Sequence, residues 1–287
     1  MLESNTHHSS RLGRNLPKAT IGVYAGRDGK PVFTNDMVWS SMNILIVNAV
    51  EWSDAYLRIQ YRRDVSEWIS DAFDDELKNV AVWRIQREDT PPVGAFDAVV
   101  VSGSSASAFD QNAWIRRLSD AILAWADDGM PLLGICFGHQ IVTQALGGRV
   151  ERNPLGWEVG THRLALTSAG TSDPLFESLE SPLDVMQSHR DIVTEPPPGA
   201  ITLASSPLCR HQALAIGDYI RTVQFHPEYT AAHMDYLLGP RRHVLSEAGI
   251  GFDAMRSGIR ETPASRKVMV NFEHQVIRKY NRRENNV

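Results

Sequence analysis

The chain has 287 residues, of which 43% are hydrophobic, and its formal net charge is −5. This length and apolar content suffice for one α/β domain with a sizeable core plus extensions. The negative net charge argues against the basic surface that nucleic-acid binding requires. No run of apolar residues approaches the roughly 20 residues that a membrane span needs.

Two further features favour a reducing, cytoplasmic location. The first ten residues are polar and lack the apolar core of a signal peptide. The sequence holds only two cysteines, Cys136 and Cys209, which do not make a disulfide framework. We therefore expect a cytoplasmic protein with free thiols.

The predicted elements alternate between strands and helices from residue 42 onward. Residues 1–41 are polar, with scattered Gly, Pro and Asn, and indicate a flexible arm in which 19–24 is a candidate strand or interaction segment. Hydrophobic periodicity then predicts strand 44–47, helix 55–73, strands 80–83 and 96–101, helix 113–126 and strand 132–135. This alternation predicts an α/β fold with a mostly parallel twisted sheet flanked by helices.

The second half of the chain is richer in predicted strands. These cover residues 157–167, 201–205, 213–216 and 220–225. From residue 239 the chain forms a C-terminal extension, in which 268–280 has apolar residues at helical spacing. This helix would pack on the domain or on a partner. We therefore divide the chain into an arm at 1–41, a central catalytic domain at 42–238 and an extension at 239–287.

The most informative segment is Gly-Ile-Cys-Phe-Gly-His-Gln-Ile at 134–141, which leads from a predicted strand into a predicted helix. A sharp strand-to-helix turn built from small residues is the nucleophile elbow, in which a side chain beside the nucleophile would clash with its surroundings. The helix N-terminus favours a thiolate at Cys136, and the backbone N–H of Phe137 is available to a developing oxyanion. Cys136 is the candidate nucleophile.

A thiolate also needs a group that protonates the leaving amine, and the best candidate is His226 at the end of strand 220–225. Residues two apart in extended backbone face the same way, so Glu228 can orient the imidazole across Pro227. Alternatively, His226 and Glu228 form an ion pair on the surface that has no part in catalysis. Together with Cys136 they form a candidate triad.

These two motifs resemble the class I glutamine amidotransferase family over about residues 42–230. Weaker matches occur in the right order: Val-Val-Val-Ser-Gly-Ser at 99–104, Gly-Gly at 147–148, Gly-Trp-Glu-Val-Gly at 156–160 and Gln-Ser-His-Arg-Asp at 187–191. The resemblance implies the family's flavodoxin-like α/β fold with added N- and C-terminal extensions. It also implies a cysteine-dependent amide hydrolase that uses no cofactor and no metal.

The resemblance assigns further roles in the site. The backbone of Gly103 and Ser104 supplies the second oxyanion donor, beside Phe137. Gln140, Ser188 and His189 are the implied contacts to the substrate. Asp191 is a weaker candidate for a substrate contact, and the alternative is that its side chain caps a turn.

The loop after Gly103 departs from the family pattern. It reads Ser-Gly-Ser-Ser-Ala-Ser where many synthetase-linked members have Gly-Gly-Pro, and its continuation resembles free-standing members such as plant γ-glutamyl peptidases. The expected reaction is hydrolysis of a γ-glutamyl amide (a γ-glutamyl amine, a γ-glutamyl peptide or glutamine), which releases glutamate and an amine. One alternative is a glutaminase subunit that passes ammonia to a separate, GMP-synthase-like synthetase; another is an inactive regulatory domain. The expected partner is the small-molecule substrate, and a synthetase subunit or a second copy of the chain remains open.

Other interpretations of individual residues carry less weight. Cys209 is expected to be a buried apolar residue, and His139 to pack within the elbow helix rather than act as the base. His226, Glu228 and His233 match no zinc spacing. No Gly-x-Gly-x-x-Gly follows the first strand, which argues against a dinucleotide site.

Overall fold

A computed structural model describes residues 23–25, 31–33, 42–50, 64–73 and 78–277. The chain divides into two units, residues 1–41 and 42–287. In the first unit, β1 (Val23–Ala25) pairs antiparallel with β2 (Pro31–Phe33). Of the candidate strand at 19–24 only the last two residues are described, and they lie in β1. The predicted flexibility of the arm lies outside the described residues.

The first half of the second unit alternates strands and helices as the sequence predicts. Its elements are β3 (Met42–Asn48), α1 (Val65–Ser70), β4 (Lys78–Arg84), β5 (Ala98–Val101), α2 (Ala113–Asp127), β6 (Leu132–Ile135) and α3 (Phe137–Ala145). Strand β6 begins and ends where the sequence predicts. The predicted helix at 55–73 is described only from residue 64 onward.

The second half contains three strands that the sequence did not predict: β7, β9 and β10. The elements are β7 (Arg149–Arg152), β8 (Glu158–Leu166), α4 (Ser168–Ser172), β9 (Leu183–His189), β10 (Asp191–Glu195), β11 (Ile201–Ser205), β12 (Ala213–Ile216) and β13 (Ile220–Val223). Strand β9 is buried on both faces although it carries polar residues, so it lacks the alternation that marks a half-exposed strand.

Nine strands form one sheet in the order β4-β3-β5-β6-β13-β12-β11-β8-β9. Strands β4, β3, β5, β6 and β13 are parallel, and the strands beyond β13 pair antiparallel. The predicted α/β class is confirmed. The register aligns Val101 with Gly134 and Val223 with Ile135, so the segments that follow β5, β6 and β13 leave the sheet at one edge. Ligand sites of parallel sheets lie at this edge.

The parallel strands are apolar on both faces, and each face is covered by helices. Alternate residues of β3, β5 and β6 enter two separate hydrophobic clusters, Ile44, Val100 and Leu133 in one and Leu45, Val99 and Leu132 in the other. Ile69 of α1 belongs to the first cluster, and Leu118 of α2 belongs to the second. This arrangement is typical of a sheet buried between two helical layers.

The C-terminal segment packs on the domain, which is one of the two arrangements left open by the sequence. After α5 (Ala231–Leu238), the last helix before residue 239, it contains a 3₁₀ turn (Gly239–Arg241), α6 (Arg242–Glu247), α7 (Phe252–Ser257), α8 (Pro263–Asn271) and a π-helical turn (Phe272–Ile277). Val268, Met269 and Phe272 are fully buried in the first cluster. The domain boundary at residue 238 stays a prediction. None of the helices in the described ranges has the length and apolar content of a membrane span.

The burial of Phe272 predicts that the extension stabilises the domain. Phe272→Ala should lower the free energy of unfolding by about 3–5 kcal/mol, because it removes a large side chain from a closed core. Val244→Ala in α6 is the control, since Val244 is 47% exposed and should change stability by less than about 0.5 kcal/mol. Denaturant unfolding measures both, and equally small effects would contradict the packing role.

Candidate active site

Cys136 stands between β6 and α3 in an unusual backbone conformation. Its φ is 53° and its ψ is −102°, a strained region for a residue with a side chain. The Cys136 N–H donates to the Val223 carbonyl at 2.8 Å, and its own carbonyl accepts from the Gln140 N–H at 3.1 Å. The strand, the sharp turn and the helix required by a nucleophile elbow are all present.

Glycines allow the elements around Cys136 to approach closely. A Cβ on Gly138 would lie 2.2 Å from the Val101 carbonyl oxygen, and one on Gly134 would lie 2.5 Å from the Gly138 carbonyl oxygen. A Cβ on Gly103 would lie 2.9 Å from Cε1 of His226. Since real Cβ atoms do not approach this closely, a side chain at Gly134 or Gly138 would push the backbone apart, and one at Gly103 would displace the His226 imidazole.

The imidazole of His226 joins Cys136 to Glu228. His226 Nδ1 lies 2.8 Å from Glu228 Oε1, and both side chains are almost fully buried. The same ring lies beside Cys136: a Cβ on Gly103 would meet both His226 Cε1, at 2.9 Å, and Cys136 Cβ, at 3.6 Å, and the charge of Cys136 raises the pKa of the ring. The Tyr229 ring stacks on the imidazole at 4.0 Å with an interplanar angle of 4°. The geometry therefore matches the nucleophile, base and orienting carboxylate of a triad.

The surroundings of His226 favour its protonated form. Burial lowers its pKa, but the charges of Glu228 and Cys136 and the hydrogen bond to Glu228 outweigh burial and raise the pKa to about 10. At neutral pH the imidazole therefore carries a proton that it can donate to a leaving group.

Two backbone segments that were predicted to supply oxyanion donors flank Cys136. Phe137 is the first residue of α3, where an N–H has no intrahelical acceptor. Ser102 holds the loop after β5: its hydroxyl accepts from the Ala49 N–H at 2.9 Å and donates to the Gly103 carbonyl at 2.9 Å. Gly103 therefore lies next to Cys136, and Ser104 lines the cleft; their role as an oxyanion donor stays a prediction.

Cys136 opens onto a cleft of about 290 Å³. The residues that line it include the predicted substrate contacts Gln140, Ser188 and His189 and the predicted oxyanion residue Ser104. Trp157, Arg152, Arg190 and Arg241 line it as well. The Gln140 side-chain amide donates to the Asp191 carbonyl at 2.8 Å and to Gln224 Oε1 at 3.1 Å. The cleft is therefore polar, and its floor is fixed by buried hydrogen bonds.

The side chain of His189 is engaged within the protein. Its Nδ1 lies 3.1 Å from the Asp191 carbonyl oxygen and its Nε2 lies 3.1 Å from Glu158 Oε2. Burial raises the pKa of the Glu158 carboxyl, but the hydrogen bond and charge of His189 and the hydrogen bond from Ser206 bring it below its usual value. Both ring nitrogens therefore have partners within the protein. Only the backbone groups of His189 are left to contact a substrate.

The competing residues lie away from the thiol chemistry. His139 is buried, its Nδ1 lies 2.7 Å from Thr222 Oγ1, and burial together with nearby positive charges lowers its pKa to about 3. Burial, helped by the charge of Glu158, raises the pKa of the Cys209 thiol to about 12. His233 stacks on Trp68 at 4.2 Å.

Comparison with known proteins places this geometry in a family. The family model Glutamine amidotransferase class-I matches residues 59–238, which is more than half of the chain. The chain belongs to the class I glutamine amidotransferase family. The match ends at the last residue of α5. The site described above lies within it, except for Arg241.

Individual relatives of this family carry different names. Gamma-glutamyl peptidase 3 of Arabidopsis thaliana is 36% identical over 149 residues, which are 50% of this chain and 59% of that protein. Gamma-glutamyl peptidase 2 of the same plant is 32% identical, and the match covers 65% of its length. The chain therefore spans about 60% of the length of these two relatives.

One further relative and one solved structure are also similar to this chain. A glutamine-hydrolysing GMP synthase subunit of Saccharolobus solfataricus is 36% identical over 159 residues, which are 53% of this chain and 81% of that protein. A glutamine amidotransferase crystal structure from Thermotoga maritima superposes with a TM-score of 0.67 at 20% identity, covering 82% of this chain and 98% of that one. This likeness concerns the fold alone.

Some residues of the candidate site, among them Glu158, Arg190 and Arg241, were not singled out from the sequence. Asp191, the weaker candidate, accepts a hydrogen bond from the Ser107 hydroxyl and pairs with Arg152 at 3.0 Å, which ties the loop after β5 to β10 and β7. Glu158 lies in the matched Gly-Trp-Glu-Val-Gly segment, which was the only signal for it. Isolated arginines in loops form no pattern, so Arg190 and Arg241 gave no signal.

The environments of the two thiols predict selective labelling. A glutamine analogue with an electrophilic γ-carbon should modify Cys136, which opens onto the cleft, and leave Cys209 intact, because burial raises the pKa of the Cys209 thiol to about 12. Peptide mass mapping measures the site, and Cys136→Ala is the control that should take no label. Modification at Cys209 alone would exclude Cys136 as the nucleophile.

The charge around His226 predicts its titration. NMR of the imidazole should show protonation up to a pKa of about 10, and Glu228→Gln should lower that pKa by about 1–3 units because an opposite charge is removed. Because the folded pKa lies above the usual 6.5, the stability gained is complete below pH 6.5 and is lost as the pH rises through about 10. A wild-type titration near 6.5 would show that the charge of Glu228 does not stabilise the imidazolium.

Proposed function

We propose that the chain hydrolyses a γ-glutamyl amide through a thioester on Cys136, releasing glutamate and an amine. The observation that carries the proposal is the buried pair in which Glu228 Oε1 lies 2.8 Å from His226 Nδ1 while the imidazole lies beside the elbow cysteine. Family membership supports the γ-glutamyl group as the acyl part. The chemistry requires neither a metal nor a cofactor.

In the first half of the reaction the Cys136 thiolate attacks the γ-carbonyl carbon. The carbonyl oxygen becomes an oxyanion that accepts hydrogen bonds from the Phe137 N–H and the Gly103–Ser104 backbone. The His226 imidazolium donates its proton to the amide nitrogen while the carbon–nitrogen bond breaks. The amine leaves, and the γ-glutamyl group stays on the sulfur as a thioester.

In the second half the neutral imidazole of His226 takes a proton from water as the water oxygen attacks the thioester carbon. The tetrahedral intermediate collapses, the carbon–sulfur bond breaks and glutamate leaves. The thiolate and the imidazolium are then restored, with Glu228 stabilising the charged ring throughout. Each group thus returns to its starting state without a co-reactant.

The loop after β5 favours an amine larger than ammonia. Ser105 is exposed and Ser104 is half-buried, and both line the cleft that holds Cys136. Their hydroxyls and the indole of Trp157 offer polar and aromatic contacts to a leaving group that ammonia does not use. The names of the two Arabidopsis relatives agree with such a substrate.

A second candidate is a glutaminase that supplies ammonia to a synthetase. It is favoured by the match to the GMP synthase subunit from Saccharolobus solfataricus, of which the chain covers 81%. Both candidates use the same thioester chemistry and differ in the amine and in the partner. They are separated by the preferred substrate and by the effect of a synthetase on the rate.

The free-standing candidate predicts a preference among substrates. The kcat/KM of the purified chain should favour some γ-glutamyl amine or peptide over glutamine by about tenfold or more, which is about 1.4 kcal/mol of differential transition-state binding. Release of glutamate measures the rates, and Cys136→Ala should show none. If glutamine is the best substrate and a synthetase accelerates its hydrolysis, the ammonia-supplying candidate is correct.

A further inference from the structure

The cleft contains more guanidinium charge than the protein neutralises. Of the three arginines that line it, Arg152 is paired with Asp191 at 3.0 Å. In the described part of the chain, no carboxylate lies within ion-pair distance of Arg190 or Arg241. A partly enclosed cleft with unpaired cations beside a nucleophile is suited to an anionic group of a substrate.

Arg241 is held at the cleft by a contact with a predicted substrate residue. It is the last residue of the 3₁₀ turn Gly239–Arg241, three positions past the end of the family match. Its Nη1 donates to the Ser188 hydroxyl, and the side chain is half-buried. This hydrogen bond uses one of the five guanidinium N–H donors and leaves the others for a ligand.

The position of Arg241 is also close to the triad. Strand β9, which carries Ser188, accepts the backbone N–H of His226 at the Met186 carbonyl at 2.9 Å. Burial and the charges of Glu228 and Cys136 raise the pKa of Tyr229, while the charge of Arg241 acts in the opposite direction. Because Tyr229 stacks on His226, Arg241 lies within electrostatic reach of the reacting groups.

We propose that Arg241 binds the α-carboxylate of the γ-glutamyl group and so determines that the acyl part of the substrate is glutamyl. This carboxylate is present in every γ-glutamyl compound and lies a few bonds from the carbonyl that Cys136 attacks, whereas the amine varies. The planar guanidinium matches a carboxylate in geometry and charge. The inference rests on the proposed function, and it assigns a specificity role to the segment beyond residue 238.

Arg190 is the competing cation. The Arg190 guanidinium lies 5.3 Å from the centre of the Trp157 ring, which covers one face of the guanidinium. The N–H groups at the edge of the guanidinium can still donate to a ligand. It follows His189 at the end of β9 and lies beside Trp157. We assign the α-carboxylate to Arg241 because Arg241, and not Arg190, is bonded to Ser188 and acts electrostatically on Tyr229.

Binding of L-glutamate, compared with 4-aminobutyrate, tests the inference without turnover. The second compound lacks only the α-carboxylate. Calorimetry on the full chain should show glutamate binding more tightly, and Arg241→Met should weaken glutamate by about 10- to 100-fold, the usual range for a charged hydrogen bond. The variant should then bind the two compounds alike. Arg241→Lys, which keeps the charge, should restore part of the difference.

Arg242→Met is the matched control. Arg242 is the next residue, but it is exposed, pairs with Asp253 at 3.0 Å and lies over Phe252 outside the cleft. Its substitution should leave both affinities unchanged. Thermal unfolding of each variant shows whether a loss of binding reflects a loss of folding.

The outcomes separate this inference from the proposed function. If Arg241→Met binds glutamate as the wild type does, or if Arg190→Met alone removes the preference for glutamate, the assignment to Arg241 is overturned. It is also overturned if the wild type binds the two compounds equally. If the Arg241 effect appears but the chain hydrolyses no γ-glutamyl amide, the proposed function fails and the carboxylate site stands.

Discussion

The close contact between the elbow helix and strand β5 is the constraint on which the candidate site depends. A Cβ on Gly138 would lie 2.2 Å from the Val101 carbonyl oxygen, so only a glycine lets the N-terminus of α3 reach the end of β5. This contact sets the first turn of α3, which begins at Phe137, against the strand that leads into the Gly103 loop. Wider spacing would move these two segments apart, and the proposed oxyanion donors lie in both of them.

Two buried pairs of histidine and carboxylate complete the site, and they do different things. The pair of His226 and Glu228 holds a proton next to Cys136. The pair of His189 and Glu158 ties the end of β9 to β8. Removing one partner from such a pair leaves an uncompensated buried charge, so each pair fixes a geometry more than it adds stability. One pair lies beside Cys136 and the other lies beside the cleft, so the candidate site contains the same physical device twice.

The sequence predicted those strands and site residues that depend on neighbouring residues in the chain. Strands β6, β11 and β12 have the predicted bounds because their apolar runs are short and end at turn residues. The candidate triad was readable because its members stand in two short motifs. Strand β9 was missed because it is buried on both faces. The engagement of the His189 ring could not be predicted either, because it depends on the register that places Glu158 opposite His189.

The C-terminal segment shows why the limits of a family match are not the limits of a site. Phe272 enters the core on one face of the sheet, and Arg266 donates to the Glu228 carbonyl at 3.4 Å. Arg241 reaches Ser188 across more than fifty residues of sequence, a contact that no spacing rule indicates. These contacts join the segment beyond residue 238 both to the backbone of Glu228, in the candidate triad, and to Ser188, in the wall of the cleft. A family match that ends at residue 238 therefore leaves out residues that contact the candidate site.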